Sequence, residues 1–352
     1  MKRLLWLAAA LALLAAAAAG WAWRRLHQPF RGYLESEIVV DVRSGQGAQA
    51  ILARLAAAGV LADARLARLY LVYALGDPAL IAGEYRFDRP LSTPQVLDKV
   101  IRGEVVVYPV TLIEGLTLEE TAEALARQGF GDAERLRREM QRGDRVADLD
   151  PDAEDLEGYL FPDTYHFARG ITEAEVVATL VRTFRQRFRE AVEPLRTAGP
   201  SPRSGATRPV RELVTLASIV EKEARLDEER ALIAGVYAHR LRRGIALYAD
   251  PTVIYALKRL GVWDGNLRRA DLRLDSPYNT YVRPGLPPGP ICSPSLASLV
   301  AAADPADTDY LYFVSRNDGS HVFAESLREH NRNVELWQRR YWRRRWAQEG
   351  SR

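Results

Sequence analysis

Three rhythms of apolar and polar positions run along this 352-residue chain, and each predicts a different kind of element. The first is an uninterrupted apolar run, mostly Leu and Ala, from Leu4 to Trp23, with Lys2-Arg3 before it and Arg24-Arg25 after it. At about 1.5 Å per residue it is long enough to cross a hydrocarbon core about 30 Å thick. Trp6, Trp21 and Trp23 fall towards its ends, where interfacial aromatic rings prefer to sit. The pattern predicts a single-span anchor over residues 1–25. A cleaved signal peptide ending at Ala17-Ala18-Ala19 is the competing reading, and the length of the run favours the anchor. Basic residues flank both sides, so charge alone does not orient it. Either reading can place the bulk of the chain outside the cytoplasm.

The second rhythm follows a linker over 26–36 and alternates between period 2 and period 3.6. Strands are predicted at Ile38–Val42, Ala82–Phe87 and Val105–Ile113, the last with Pro109 implying an edge or a break. Helices are predicted over Gln49–Ala58, ended by Gly59, and over Ala64–Leu75, Thr93–Arg102 and Thr117–Gln128. Thr117 with Glu120 three positions on is a capping-box pattern. Residues 37–108 thus read as a small α+β module. Residues 114–195 read as mainly helical, broken by Gly158-Tyr159-Leu160-Phe161-Pro162-Asp163-Thr164-Tyr165. Aromatics around that turn, Tyr165 among them, suit either a sugar-stacking platform or a buried corner, the latter favoured for Phe161. Leu195–Val210, rich in Pro, Gly, Ser, Thr and Arg, reads as a flexible surface loop.

The third rhythm is a helical stripe over 211–224 that runs into two carboxylates. Leu216, Ile219 and Val220 share one helix face, and Glu223 continues that face, four residues after Ile219 and three after Val220. A carboxyl held against apolar side chains resists ionising, and the raised pKa suits a general acid near neutral pH. Glu221 lies about 200° around the helix from Glu223. It reads as a partner for Arg225 on the solvated face and as the runner-up acid.

Composition narrows the function. Hydrophobic residues make up 47% and charged residues 27%, an ordinary globular balance, and the net charge of +3 is too small to imply nucleic acid. The single cysteine, Cys292, excludes an intrachain disulfide and a cysteine-cluster metal site, and reads as a packing residue. The five histidines are scattered without an HExxH pairing, which argues against a zinc hydrolase. At the C-terminus, Trp337 to Trp346 alternates Arg with Trp and Tyr. This is a basic-aromatic helix suited to an anionic surface, or a closing helix with a solvated arginine face.

Several short motifs occur in order: EGYLFPDTY at 157–165, ASIVEKE at 217–223, DPTVIY at 250–255, YNTY at 278–281, GLPPGPI at 285–291 and YLYFV at 310–314. Together with the N-terminal run, this set closely resembles the MltG/YceG-like endolytic murein transglycosylases. The resemblance implies an α+β architecture in three parts: an inner-membrane anchor, a LysM-like module over 37–108 and a periplasmic catalytic domain over 109–352. It implies cleavage within the glycan strands of peptidoglycan, without a metal or organic cofactor, and association with penicillin-binding proteins. The family's catalytic glutamate maps onto Glu223, in agreement with the helix-face argument. Tyr278, Asn279 and Thr280 are candidates to bind sugar acetamido groups, although an Asn in such a loop often bonds the backbone instead. Asp250, before Pro251, is either a site residue or a turn residue. A pyridoxal-phosphate chemistry finds no support, because Lys222 lies in no recognisable phosphate-binding context.

Overall fold

A computed structural model describes residues 2–198, 208–341 and 343. It is mixed α+β and divides into two compact units, Met1–Pro109 with His166–Ile171, and Val110–Tyr165 with Thr172–Arg352.

The first unit begins with α1 (Lys2–His27), none of whose residues is buried. Its 26 residues span about 39 Å at 1.5 Å each, more than a bilayer core requires. At its end the Trp23 ring stacks on His27 at 3.8 Å, and His27 meets Tyr70 edge-on at 6.3 Å. The chain then forms β1 (Ile38–Val42), α2 (Ala48–Ala57), α3 (Ala64–Tyr73), β2 (Gly83–Phe87) and α4 (Thr93–Ile101). These bounds lie within two residues of those read from periodicity. β1 and β2 pair antiparallel, with Val40 opposite Tyr85 and Val42 opposite Gly83. Period-2 alternation turns Val40, Val42, Tyr85 and Phe87 to one face, where Leu52, Leu55, Leu71, Leu97 and Val100 meet them. Burying each such aliphatic side chain contributes about 1.5–3 kcal/mol. α4 starts at a Ser92–Gln95 capping box with Pro94 in its first turn.

β3 (Val107–Thr111) and a later strand pair as a second two-stranded sheet. Pro109 lies in β3, and a two-stranded sheet has only edges, which is where proline is tolerated. α5 (Leu118–Arg127) opens with the predicted capping box: Glu120 N donates to Thr117 Oγ1 at 3.2 Å, and Thr117 N donates to the Glu120 carboxylate at 2.9 Å. α6 (Ala133–Met140), the second strand β4 (Thr164–Ala168) and α7 (Glu173–Arg187) follow. α7 runs through a π-helical turn at Phe188–Val192 into α8 (Glu193–Thr197). The predicted surface loop at 195–210 is therefore helical at its start, and its middle, 199–207, lies outside the described residues.

The centre of the second unit is α9 (Val210–Glu223). Eight consecutive residues, Leu213 to Val220, are buried, so the helix is covered all round for two turns. α10 (Asp227–Arg242), α11 (Asp250–Arg259) and α12 (Leu296–Ala303) pack on it. The 285–293 run crosses α9 closely. Ile291 N donates to Ser218 Oγ at 3.0 Å, and the buried Cys292 thiol donates to Ser218 O. Gly158 makes this approach possible. At its φ of +85°, a Cβ would stand 2.5 Å from Pro290 and 2.9 Å from Val214. The hairpin β5 (Tyr312–Ser315) and β6 (His321–Ala324) and then α13 (Leu327–Val334) complete the unit. A π-helical turn at Glu335–Arg340 carries Trp337, Arg339 and Arg340, and Glu335 pairs with Arg339, Arg340 and Arg343. Trp342 and residues 344–346 of the predicted basic-aromatic helix lie outside the described residues.

Candidate active site

Glu223 is the last residue of α9, half-buried, where the chain turns extended at Ala224. Burial pushes its carboxyl up to about 7. A carboxylate at a helix C-terminus also meets the negative end of the helix dipole, which works in the same direction. Tyr237 of α10 donates its hydroxyl to Glu223 Oε1 at 3.0 Å and holds the pKa down in part. The Tyr237 ring is buried, with its edge against Phe313 of β5 at 5.7 Å. Among the described residues no other side chain hydrogen-bonds Glu223, which leaves Oε2 for a ligand.

Two charges shape this environment. Asp250 raises the Glu223 pKa by repulsion, and Arg240 lowers it by attraction. Arg240, one turn after Tyr237, is buried, and its guanidinium is spent on backbone. Nε donates to Leu311 O and Nη1 to Leu247 O, each at 2.6 Å. Arg240 thus ties the turn before α11 to the start of the β5 hairpin. Asp250, exposed at the first position of α11, accepts the Tyr281 hydroxyl at 2.6 Å.

The other predicted residues take different places. Glu221 is not a surface partner of Arg225. Its side chain is only 8% exposed, and Oε2 accepts from Arg230 Nη1 at 3.2 Å, Ser295 N at 2.9 Å, Ser298 Oγ at 2.8 Å and the Ser295 hydroxyl. The N-terminus of α12 packs over the side of α9 that the helical wheel read as solvated. With four donors on one oxygen, Glu221 braces α9, α10 and α12. Asn279 is fully buried and clasps its own loop. Its amide donates to Leu272 O and Leu274 O, and its Oδ1 accepts from Tyr281 N. Thr280, also buried, takes Ala249 N and bonds Thr252 Oγ1, which fixes the start of α11. Neither offers a free group to a sugar. Tyr165 is 6% exposed and donates to Phe161 O at 2.6 Å, while Tyr159 and Phe161 are buried too. This turn is a packed corner and presents no stacking face.

Tyr278 lies against Tyr255 at 4.9 Å and near the Arg259 guanidinium, on a cleft of about 550 Å³. That cleft and a second, of about 850 Å³, share Glu157, Asp155 and Arg259, and Glu223 lines neither. Glu157 is a second carboxyl raised by burial, to about 8. It is occupied at both oxygens, accepting Leu118 N at 3.0 and 3.2 Å and the Tyr255 hydroxyl at 3.1 Å, so it caps α5. In the 278–281 segment, Tyr281 lies within range of the Glu223 charge. Nothing in the sequence singles out Tyr237 or Arg240. Their spacing on α10 is ordinary core periodicity.

A model of the YceG-like family matches residues 40–336, and the chain belongs to that family. It is 29% identical over 329 residues to an endolytic murein transglycosylase of Bacillus subtilis (strain 168), across 89% of this chain and 88% of that one. It is 30% identical over 331 residues to an endolytic murein transglycosylase of Streptococcus pneumoniae serotype 2 (strain D39), across 84% of this chain and 58% of that longer one. Among solved structures, a YceG-like protein from Listeria monocytogenes superposes with a TM-score of 0.55 at 30% identity, covering 85% of this chain and 99% of that one.

Proposed function

We propose that this protein is a membrane-anchored lytic transglycosylase that cleaves peptidoglycan glycan strands internally, with Glu223 as its acid and base. Membership of the YceG-like family and the names of the Bacillus and Streptococcus relatives support the peptidoglycan-cleaving activity. The observation that carries the role of Glu223 is a buried carboxyl at the end of a helix, bonded among the described residues at one oxygen only, with burial raising its pKa to about 7. Such a group is protonated often enough to donate near neutral pH and ionised often enough to accept afterwards.

In the proposed reaction Glu223 protonates the β-1,4 glycosidic oxygen between N-acetylmuramic acid and N-acetylglucosamine. The bond from that oxygen to muramic C1 breaks, and the glucosamine leaves with a free 4-hydroxyl. The C6 hydroxyl of the same muramic acid then attacks C1, and the Glu223 carboxylate takes its proton. The products are a 1,6-anhydromuramic end and a regenerated acid. No water is consumed, so an enzyme nucleophile is not required. Tyr237 steadies the ionised form of Glu223 between the two proton transfers.

α1 supports a single-pass anchor over 1–25, with the 26–36 linker following it. In this reading the 37–108 module is LysM-like and residues 109–352 form the catalytic domain, both on the periplasmic side of the inner membrane. The enzyme then limits strand length during wall synthesis, alongside penicillin-binding proteins. The test is mass spectrometry of uncrosslinked glycan digested by the full-length protein. Anhydromuramic ends, lost in Glu223→Gln, are expected. Reducing muramic ends would instead indicate hydrolysis, which needs a second carboxylate.

A further inference from the structure

Tyr248 combines a strained backbone with an exposed side chain. It is a bulky residue with φ at +50°, a conformation that costs an L side chain of this size free energy, and it is 50% exposed. The backbone around it is pinned from both sides. Leu247 and Ala249, its neighbours in the chain, are fully buried. Arg240 holds the Leu247 carbonyl at 2.6 Å, and Thr280 Oγ1 accepts Ala249 N at 3.0 Å. Tyr248 N reaches Thr280 O at 3.4 Å. Buried, well-bonded residues thus hold one aromatic side chain in a strained, outward position. Strain of this kind gathers at sites that bind.

The ring is not isolated. It lies against Tyr281, centroids 5.3 Å apart and planes at 57°, with the Arg240 guanidinium 5.8 Å from its centre. Tyr281 is itself fixed through its hydroxyl to Asp250. Asp250 and Arg240 both act on the charge of Glu223, and Tyr281 feels that charge as well, so the aromatic pair stands within electrostatic range of the candidate acid. Fixed rings beside a site where sugar bonds break suit one ligand chemistry well. The axial hydrogens of a pyranose form an apolar face that packs on an aromatic ring, while its hydroxyl and acetamido groups stay turned to polar partners.

We infer that Tyr248 and Tyr281 form an aromatic platform for a pyranose ring of the glycan next to the bond that is cleaved. This inference rests on the transglycosylase reading and extends it from the acid to a substrate subsite. It also moves the stacking surface from the 159–165 turn, whose rings are buried, to the turn before α11.

The experiment uses the full-length protein in detergent with purified uncrosslinked glycan strands, measuring KM and kcat from the release of new ends. Tyr248→Gly removes the ring and also relieves the positive φ, so it keeps the fold. Tyr248→Phe keeps the ring. KM is expected to rise about tenfold in Tyr248→Gly, with kcat within about threefold of wild type, since the platform binds the substrate and does not transfer protons. Tyr248→Phe is expected to stay within about twofold on both. A Tyr248→Gly protein with wild-type thermal unfolding and wild-type KM overturns the platform and leaves the catalytic reading standing. An equal rise in KM in Tyr248→Phe also overturns it, because the hydroxyl would then be the binding group. Wild-type protein that neither binds nor cleaves glycan removes the catalytic reading and the platform together.

Discussion

The Tyr237 hydroxyl donates to Glu223 Oε1 at 3.0 Å, from a ring that is itself buried. This single bond decides which oxygen of Glu223 stays free, and it sets the pKa of the group against the effect of burial. Asp250 pulls the other way. The two neighbours therefore make opposite predictions for activity as a function of pH.

Activity that needs protonated Glu223 should fall above pH 7, approaching tenfold per unit. In Tyr237→Phe the carboxylate loses its donor, so the alkaline limb should move to higher pH. In Asp250→Asn the repulsion is gone, so the same limb should move to lower pH. Both shifts are expected at about half a unit to one unit. Rate profiles of the three proteins on one glycan substrate check this. Shifts of the same sign in both variants would rule out the arrangement described.

Glu223→Gln should abolish cleavage and also change stability. The folded pKa of Glu223 is raised to about 7 from an ordinary value of 4.5. Its contribution to stability is therefore fully present below pH 4.5 and is lost as pH rises through 7. The glutamine carries no such penalty. At pH 8 the variant should be more stable than wild type by up to about 3 kcal/mol, and near pH 4 the two should agree more closely. Urea unfolding at the two pH values reads the difference.

Glu221→Ala should behave in the opposite way. It leaves Arg230, 11% exposed, without its buried partner and strips the N-terminus of α12 of an acceptor. A loss of about 3–5 kcal/mol is expected, measured by denaturant unfolding, with reduced activity that follows the unfolded fraction. Glu221→Gln, which keeps an acceptor, should lose less.

Gly158→Ala should cost about 2–4 kcal/mol, because the added methyl meets Pro290 and Val214 at a φ that alanine rarely adopts. A thermal melt near wild type would show that the 285–291 run can retreat from α9.

Much of the local structure was legible because it is encoded within a turn or two of chain. The spacing of Ile51, Leu52 and Leu55 gives a helix face without reference to anything distant, and Thr117 with Glu120 caps its helix using groups three residues apart. The position of Glu223 after Ile219 and Val220 follows from the same periodicity. The surroundings of Glu221 were not legible in this way. A helical wheel says which residues share a face, and it is silent on whether a second element covers the opposite face. Here α12, about 75 residues further on, does so and turns an expected surface charge into a buried brace. The same limit explains Asn279, Thr280 and Tyr165, whose polar atoms are consumed by backbone and side chains in the folded loops.

The sequence by itself determined the apolar N-terminal helix, the alternating module and the placing of one carboxyl on the inner side of a helix. Each depends on side chains only a few positions apart. The tertiary structure decided what surrounds that acid: Tyr237 and Arg240 on α10, Asp250 on α11, Tyr281 in its loop and Tyr248 held outward at positive φ. Those residues stand 14 to 58 positions from Glu223 in sequence. Their effect on its proton depends on distance and burial, which exist only once the helices have packed.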